Sequence, residues 1–149
     1  MGDGKAWLLA AGTFSVAAAF LHLACIMGGP NWYRALGAGE HFASAAARGA
    51  WFPAVVTLGI AGIIGVWAVY AFSAAGAVPA LPFRRTILVL IIAGLTARGL
   101  AGLAPDLWRA DLSYAFKLWS SVAVLILAAC FAVGTFLAWP TLSLKDPVL

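Results

Sequence analysis

Four long apolar stretches constrain the fold of this 149-residue chain more than any other feature. A helix needs about 20 apolar residues to cross a hydrocarbon core of about 30 Å, and each stretch is long enough to do so. A β-barrel would instead show short segments of alternating polarity. The pattern therefore predicts an all-α integral membrane protein, a bundle of four transmembrane helices. The predicted spans are Trp7 to Met27, Trp51 to Ala75, Thr86 to Ala104 and Leu118 to Trp139.

The composition indicates lipid as the surrounding solvent. Hydrophobic residues make up 64% of the chain and charged residues 9%, whereas a soluble domain carries roughly 25% charged residues on its water-facing surface. The formal net charge is +4, but the basic residues stand singly or in pairs beside the spans, where such residues contact lipid headgroups. We therefore expect the lipid bilayer as a partner, and not a nucleic acid.

The four spans divide a single domain, residues 1–149, between two membrane faces. The N terminus, the loop 76–85 and the tail 140–149 share face A, and the loops 28–50 and 105–117 share face B. The Arg84-Arg85 pair directly beside the third span favours face A as the cytoplasmic side. We therefore expect a multi-pass protein with both termini in the cytoplasm. The compact, Ala- and Gly-rich design is typical of a bacterial inner membrane.

Both face-B loops carry signals for short interfacial helices. After the turn signal at residues 28–31, the run from Glu40 to Arg48 has good helix formers, and it predicts a helix that extends the second span outward past Gly49. In the other loop, Pro105 and Asp106 suit a helix start. Short helices are therefore predicted after the first and third spans.

Two ionisable side chains fall inside the predicted spans, where such residues indicate function and need a partner. His22 and Arg98 are about five and six residues from face B, so they lie roughly 8 Å and 9 Å deep. Arg98 needs a counter-charge or an anionic ligand, and Glu40 and Asp106 are the carboxylates within reach.

Helical spacing predicts that both ionisable residues point into the bundle. Each belongs to a stripe of small residues, which face a neighbouring helix rather than lipid. The stripes are Ala11, Ser15, Ala18 and His22 in the first span, and Gly94, Arg98 and Ala101 in the third.

These residues predict a polar pocket that opens on face B. His22 and Arg98 form its floor, with Thr57 and Ser121 (or Ser120) at a similar level, while Asn31, Arg34, Glu40 and His41 form its mouth. Such a pocket would bind or transport a small anionic or amphipathic, lipid-like ligand. Arg98 would hold the anion, and His22 would form a hydrogen bond to it.

Other interpretations remain open at this stage. Arg98 could extend to a headgroup phosphate while His22 bonds a carbonyl oxygen, with no ligand. The chain could be a membrane enzyme with His22 or His41 as general base and Glu40 orienting it. It could also be a structural subunit of a larger complex, or a homo-oligomer that associates through Gly- and Ala-rich helix faces. Close packing is the expected role of Gly59, Gly62 and Gly65.

The sequence carries no signature of metal or cofactor chemistry. Bis-histidine haem ligation needs two histidines at depth on facing helices, but His41 lies in a loop. No Cys-x-x-Cys, His-Glu-x-x-His or carboxylate cluster is present. We therefore expect neither a metal nor a cofactor.

Overall fold

The computed structural model describes residues 2–104 and 112–142, with side chains from residue 4 onward. The regular secondary structure of these residues is entirely helical. Four of its helices are long and apolar enough to cross a membrane, which confirms the four predicted segments. The helix predicted to start at Pro105 lies outside the described residues. The helices are α1 (Gly2–Ala35), α2 (Glu40–Ala47), α3 (Phe52–Ala74), α4 (Arg84–Leu103) and α5 (Tyr114–Leu142).

The long helices form a bundle in which chain direction alternates. α1 packs against α3 and α5, and α4 packs against α5 and more sparsely against α3. The start of α1 meets the end of α5 at Gly4 and Leu137, and the end of α4 meets the start of α5 at Gly102 and Ser121. α1 and α4 therefore stand diagonally across the bundle.

The main hydrophobic core lies toward face A, where the start of α1 and α4 meet the end of α3 and α5. Phe131 and Leu88 are fully buried there. Glycines allow the helices to approach closely, since a Cβ on Gly134 would lie 2.8 Å from the Cγ of Leu8. The buried members of this core are Ala11, Ala71, Leu88, Ile91, Leu95, Ala128, Cys130, Phe131 and Leu142.

Hydrogen bonds fasten the face-A loop and the ends of its helices. The Ser73 hydroxyl donates to the carbonyl of Pro79 at 2.9 Å and accepts from the amide of Leu81 at 3.0 Å. Arg84 is only 2% exposed, and its Nη2 donates to the carbonyl of Leu142 at 3.1 Å. This arginine therefore binds the end of α5, in contrast to the headgroup contact expected for a basic residue beside a span.

The face-B segment after the first span differs from the expected turn. The backbone of α1 departs from helical geometry at Gly29, where φ is 67° and ψ is −150°, and helix continues from Pro30 to the end of α1. α2 is a separate helix, because the chain turns at Gly49 with φ 76° before α3 begins. The prediction that the run after Glu40 extends the second span is therefore wrong.

Several glycines lie on outer helix surfaces and not between helices of this chain. A Cβ on Gly59, Gly62 or Gly65 of α3, or on Gly94 of α4, would have no other atom within 4 Å. Close packing within the chain is therefore wrong for the three α3 glycines. The bundle-facing stripe predicted through Gly94 is wrong too, since the buried residues of α4 are Arg84, Leu88, Ile91, Leu95, Gly99 and Gly102.

Candidate functional site

Arg98 and Ser121, two of the predicted site residues, come together at the face-B ends of α4 and α5. A Cβ built on Gly102 would overlap the hydroxyl of Ser121 and would lie 2.9 Å from the Nη1 of Arg98. Glycine at position 102 therefore leaves room for both side chains. Arg98 itself is half-buried beside the buried stripe of α4.

The hydroxyl of Ser121 is the most unusual polar atom of this group. The side chain is fully buried, and its Oγ has no hydrogen-bond partner among the residues that the structure describes. Buried hydroxyl groups in proteins are nearly always hydrogen-bonded, because leaving one unsatisfied costs about 1–3 kcal/mol.

Lys117 is a further charged residue at the same end of α5, and the sequence reasoning placed it in the face-B loop. It is only 7% exposed and precedes Ser121 by four residues, so the two share one face of the helix. Lysine is rarely buried this deeply. No pattern in the sequence around Lys117 indicated this burial.

His22 lies on α1, diagonally across the bundle from α4, and its side chain is half-buried. Its Nδ1 lies 2.7 Å from the carbonyl oxygen of Ala18, one turn earlier in the same helix. Two other members of the predicted α1 stripe, Ala11 and Ser15, are fully buried as expected. A shared site for His22 and Arg98 stays a prediction, because α1 packs mainly on α3 and α5.

Thr57 is 5% exposed and lies near the face-B end of α3. This helix packs mainly on α1 and only sparsely on α4. Thr57 and His22 thus lie on α3 and α1, whereas Arg98 lies on α4 and Lys117 and Ser121 lie on α5.

Arg34 and Glu40 form a two-point ion pair that joins the end of α1 to the start of α2. The Nε and Nη2 of Arg34 each donate to one carboxylate oxygen of Glu40 at 2.8 Å, and its Nη1 donates to the Oδ1 of Asn31 at 3.3 Å. The hydrogen bond from Arg34 lowers the pKa of Glu40. Glu40 therefore neutralises Arg34, and not Arg98 as the sequence suggested. Asp106, the other suggested counter-charge, lies outside the described residues.

His41 is exposed and packs against aromatic rings. Its ring centroid lies 5.6 Å from that of Phe52, the first residue of α3, and 6.2 Å from that of Phe42. This stacking ties α2 to α3. Since both carboxylate oxygens of Glu40 accept from Arg34, the described contacts do not show Glu40 orienting His41.

The helices indicate the class of protein to which this chain belongs. The described residues form an all-helical protein with four apolar helices that could each span a membrane, which indicates a multi-pass membrane protein. Comparisons with protein-family models, curated proteins and solved structures gave no match. The function is therefore argued from the site itself.

Proposed function

We propose that this is a multi-pass protein of a bacterial inner membrane, with both termini cytoplasmic, that binds or transports a small anionic or amphipathic ligand through a polar pocket on face B. Face B is then periplasmic. Arg98 holds the negative charge of the ligand, and Ser121 forms a hydrogen bond to one of its oxygens. Lys117 adds a second positive charge one turn closer to the face-B end of α5.

The buried hydroxyl of Ser121 is the observation that carries this proposal. This hydroxyl has no described partner and lies beside the guanidinium of Arg98, so both groups could bind one oxygen atom of a ligand. Because a guanidinium only donates hydrogen bonds and is always charged, that oxygen should carry negative charge.

The surroundings of the site favour an amphipathic ligand. Large apolar side chains remain exposed at the same ends of α4 and α5, so a hydrocarbon chain could lie against them while its head group reaches Arg98. These side chains are Leu100, Leu103, Leu118 and Val122.

The remaining predicted residues form the opposite wall and the cover of the pocket. His22 and Thr57 contribute polar atoms from the α1 and α3 side. The ion pair of Arg34 and Glu40, supported by Asn31, holds α2 over face B, and His41 docks α2 on α3. The cover is thus anchored at both of its ends.

Farnesyl phosphate and farnesol make a suitable pair of probes, since they share a hydrocarbon chain and differ in charge. We expect farnesyl phosphate, but not farnesol, to raise the thermal midpoint of the purified protein in detergent. Arg98→Gln should abolish this rise. Arg48→Gln removes an exposed positive charge from the same face and should leave the rise unchanged.

Ser121→Ala separates binding from stability. It removes a buried hydroxyl that has no described partner, so the ligand-free variant should unfold at the same temperature or higher. Its response to farnesyl phosphate should be smaller than that of the original protein. Equal responses to the two probes, or an undiminished response in Arg98→Gln, would refute an anion site here.

A second candidate, association of identical chains through α3, is supported by the glycines on its outer surface. Gly59, Gly62 and Gly65 leave open space where a neighbouring backbone could approach. Membrane helices commonly associate through such small residues. Cross-linking in native membranes would test this, with a dimer band expected that Gly62→Leu removes.

A further inference from the structure

A second feature, at the other end of the bundle, is a cleft on the outer surface between the start of α4 and the end of α5. The cleft has a volume of about 390 Å³ and is lined by Arg85, Thr86, Val89, Leu90 and Trp139. The four α4 residues are spaced as one stripe along the helix. Val89, Leu90 and Trp139 are exposed, so the cleft opens toward the membrane surroundings of the bundle.

Arg85 is held in a fixed position at this cleft. Its Nη2 donates to the carbonyl of Trp139 at 2.6 Å, and its guanidinium carbon lies 4.5 Å from the centroid of the Trp139 ring. A guanidinium carries five N–H donors in a planar fork, so it can donate to several acceptors at once. The stacked geometry spares the entropy that a free arginine would lose on binding.

The cleft is charged at its outer end and apolar at its inner end, which matches the head group and acyl chains of a phospholipid. Arg85 is the second residue of α4, so it lies at the face-A boundary of the span, the level of headgroups. Val89 and Leu90 follow four and five residues later, about 6–8 Å deeper, where acyl chains begin. Trp139 has the amphipathic ring typical of the interface. Charge therefore lies outside and hydrocarbon inside, as in a lipid.

We propose that this cleft is a binding site for one anionic phospholipid, with the lipid phosphate on Arg85 and the upper acyl chain against Val89 and Leu90. The hydroxyl of Thr86 supplies a further donor for the head group. Arg84, the preceding residue, adds a second positive charge at the start of α4, although its side chain is buried and does not line the cleft. The site requires membrane insertion, but it does not depend on the pocket proposed for face B.

Native mass spectrometry from nanodiscs of mixed phosphatidylglycerol and phosphatidylcholine tests this site with defined probes. We expect the released protein to retain phosphatidylglycerol in preference to phosphatidylcholine. Arg85→Gln should lower this preference about tenfold. This is the lower end of the range expected when a hydrogen bond to a charged group is lost. Lys5→Gln removes an exposed positive charge from the same face and should lower it less than about twofold, because Lys5 does not line the cleft.

Two further variants keep the test decisive if Arg85→Gln disturbs the contact with Trp139. Arg85→Lys keeps the charge but loses the planar fork, so it should retain part of the preference. Val89→Trp leaves both arginines in place and obstructs the apolar wall, so it should reduce lipid retention. Arg98→Gln, at the opposite face, should have no effect and separates this site from the face-B pocket.

Several results would overturn the proposal. Equal losses in Arg85→Gln and Lys5→Gln would mean that general surface charge attracts the lipid. Displacement of phosphatidylglycerol by inorganic phosphate would show that the cleft selects the phosphate group alone. An unchanged preference in Arg85→Gln, or unchanged retention of phosphatidylglycerol in Val89→Trp, would place the lipid elsewhere.

Discussion

The two ends of the bundle are built differently. Toward face A, an apolar core with fully buried Phe131 and Leu88 is combined with a hydrogen-bonded loop and a buried arginine. Toward face B, the chain bends at Gly29, forms a separate short helix and leaves the hydroxyl of Ser121 without a described partner. The difference teaches that the larger apolar core and the bond between distant residues Arg84 and Leu142 lie at one end, whereas local contacts such as the Arg34–Glu40 pair hold the other.

The largest effect is expected from the core near face A. Phe131→Ala should lower the free energy of unfolding by about 3–5 kcal/mol, because it removes a fully buried ring from a packed site. Phe136→Ala is the matched control on the same helix, since Phe136 is 80% exposed. Unfolding of both variants in mixed detergent micelles measures the difference. Similar losses in the two variants would contradict the location of the core.

A smaller effect should follow from filling the close contact between α1 and α5. Gly134→Leu places a side chain against Leu8 and Trp7 and should cost about 1–3 kcal/mol. Gly62→Leu introduces the same side chain into open space on α3 and should change the free energy of unfolding by less than about 0.5 kcal/mol. Unfolding in mixed micelles again gives the comparison, and a costly Gly62→Leu in a monomeric sample would show that α3 is covered within the chain.

The smallest effect concerns the ion pair on face B. The folded-state pKa of Glu40 is lowered by the hydrogen bond from Arg34, so the pair stabilises the junction of α1 and α2 above the usual glutamate pKa near 4.5. This stabilisation is lost as the pH falls through the lowered pKa of the folded state. Glu40 is the single glutamate of the chain, so selective ¹³C labelling gives one carboxyl resonance to titrate.

Arg34→Gln provides the control for that titration. Without the guanidinium, the pKa of Glu40 should return toward its ordinary value. A midpoint that is the same in both proteins would show that the pair does not persist in solution. The position of α2 would then depend on the burial of Tyr33 and Ala43 and on the contact between the rings of His41 and Phe52.

The spans could be predicted from sequence because length and hydropathy alone decide whether a helix can cross a membrane. The inward faces were harder to predict, because lipid and protein interior are equally apolar and leave no polar face to read. Gly94 and Leu95 illustrate this, since the glycine is open to its surroundings and the leucine is buried. The burial of Lys117 depends on how α5 packs, which no local pattern records.

For the candidate site, the sequence indicated which residues belong to it but not which side chains bind each other. Arg98 and Ser121 were both predicted, and they approach each other because position 102 is glycine. Glu40 was predicted as a partner of Arg98, yet it pairs with Arg34, only six residues away in sequence. Local ion pairs of this kind form easily, because the chain between the two residues is short.

The bond between Arg84 and Leu142 joins residues 58 positions apart, at the first turn of α4 and the last turn of α5. A ribosome completes α4 well before it adds the end of α5, so the guanidinium cannot have this acceptor while α4 is being inserted. During biogenesis, α5 therefore supplies the acceptor for Arg84 of α4 only after α4 has been made. A nascent chain that ends before position 142 would leave α4 without this bond.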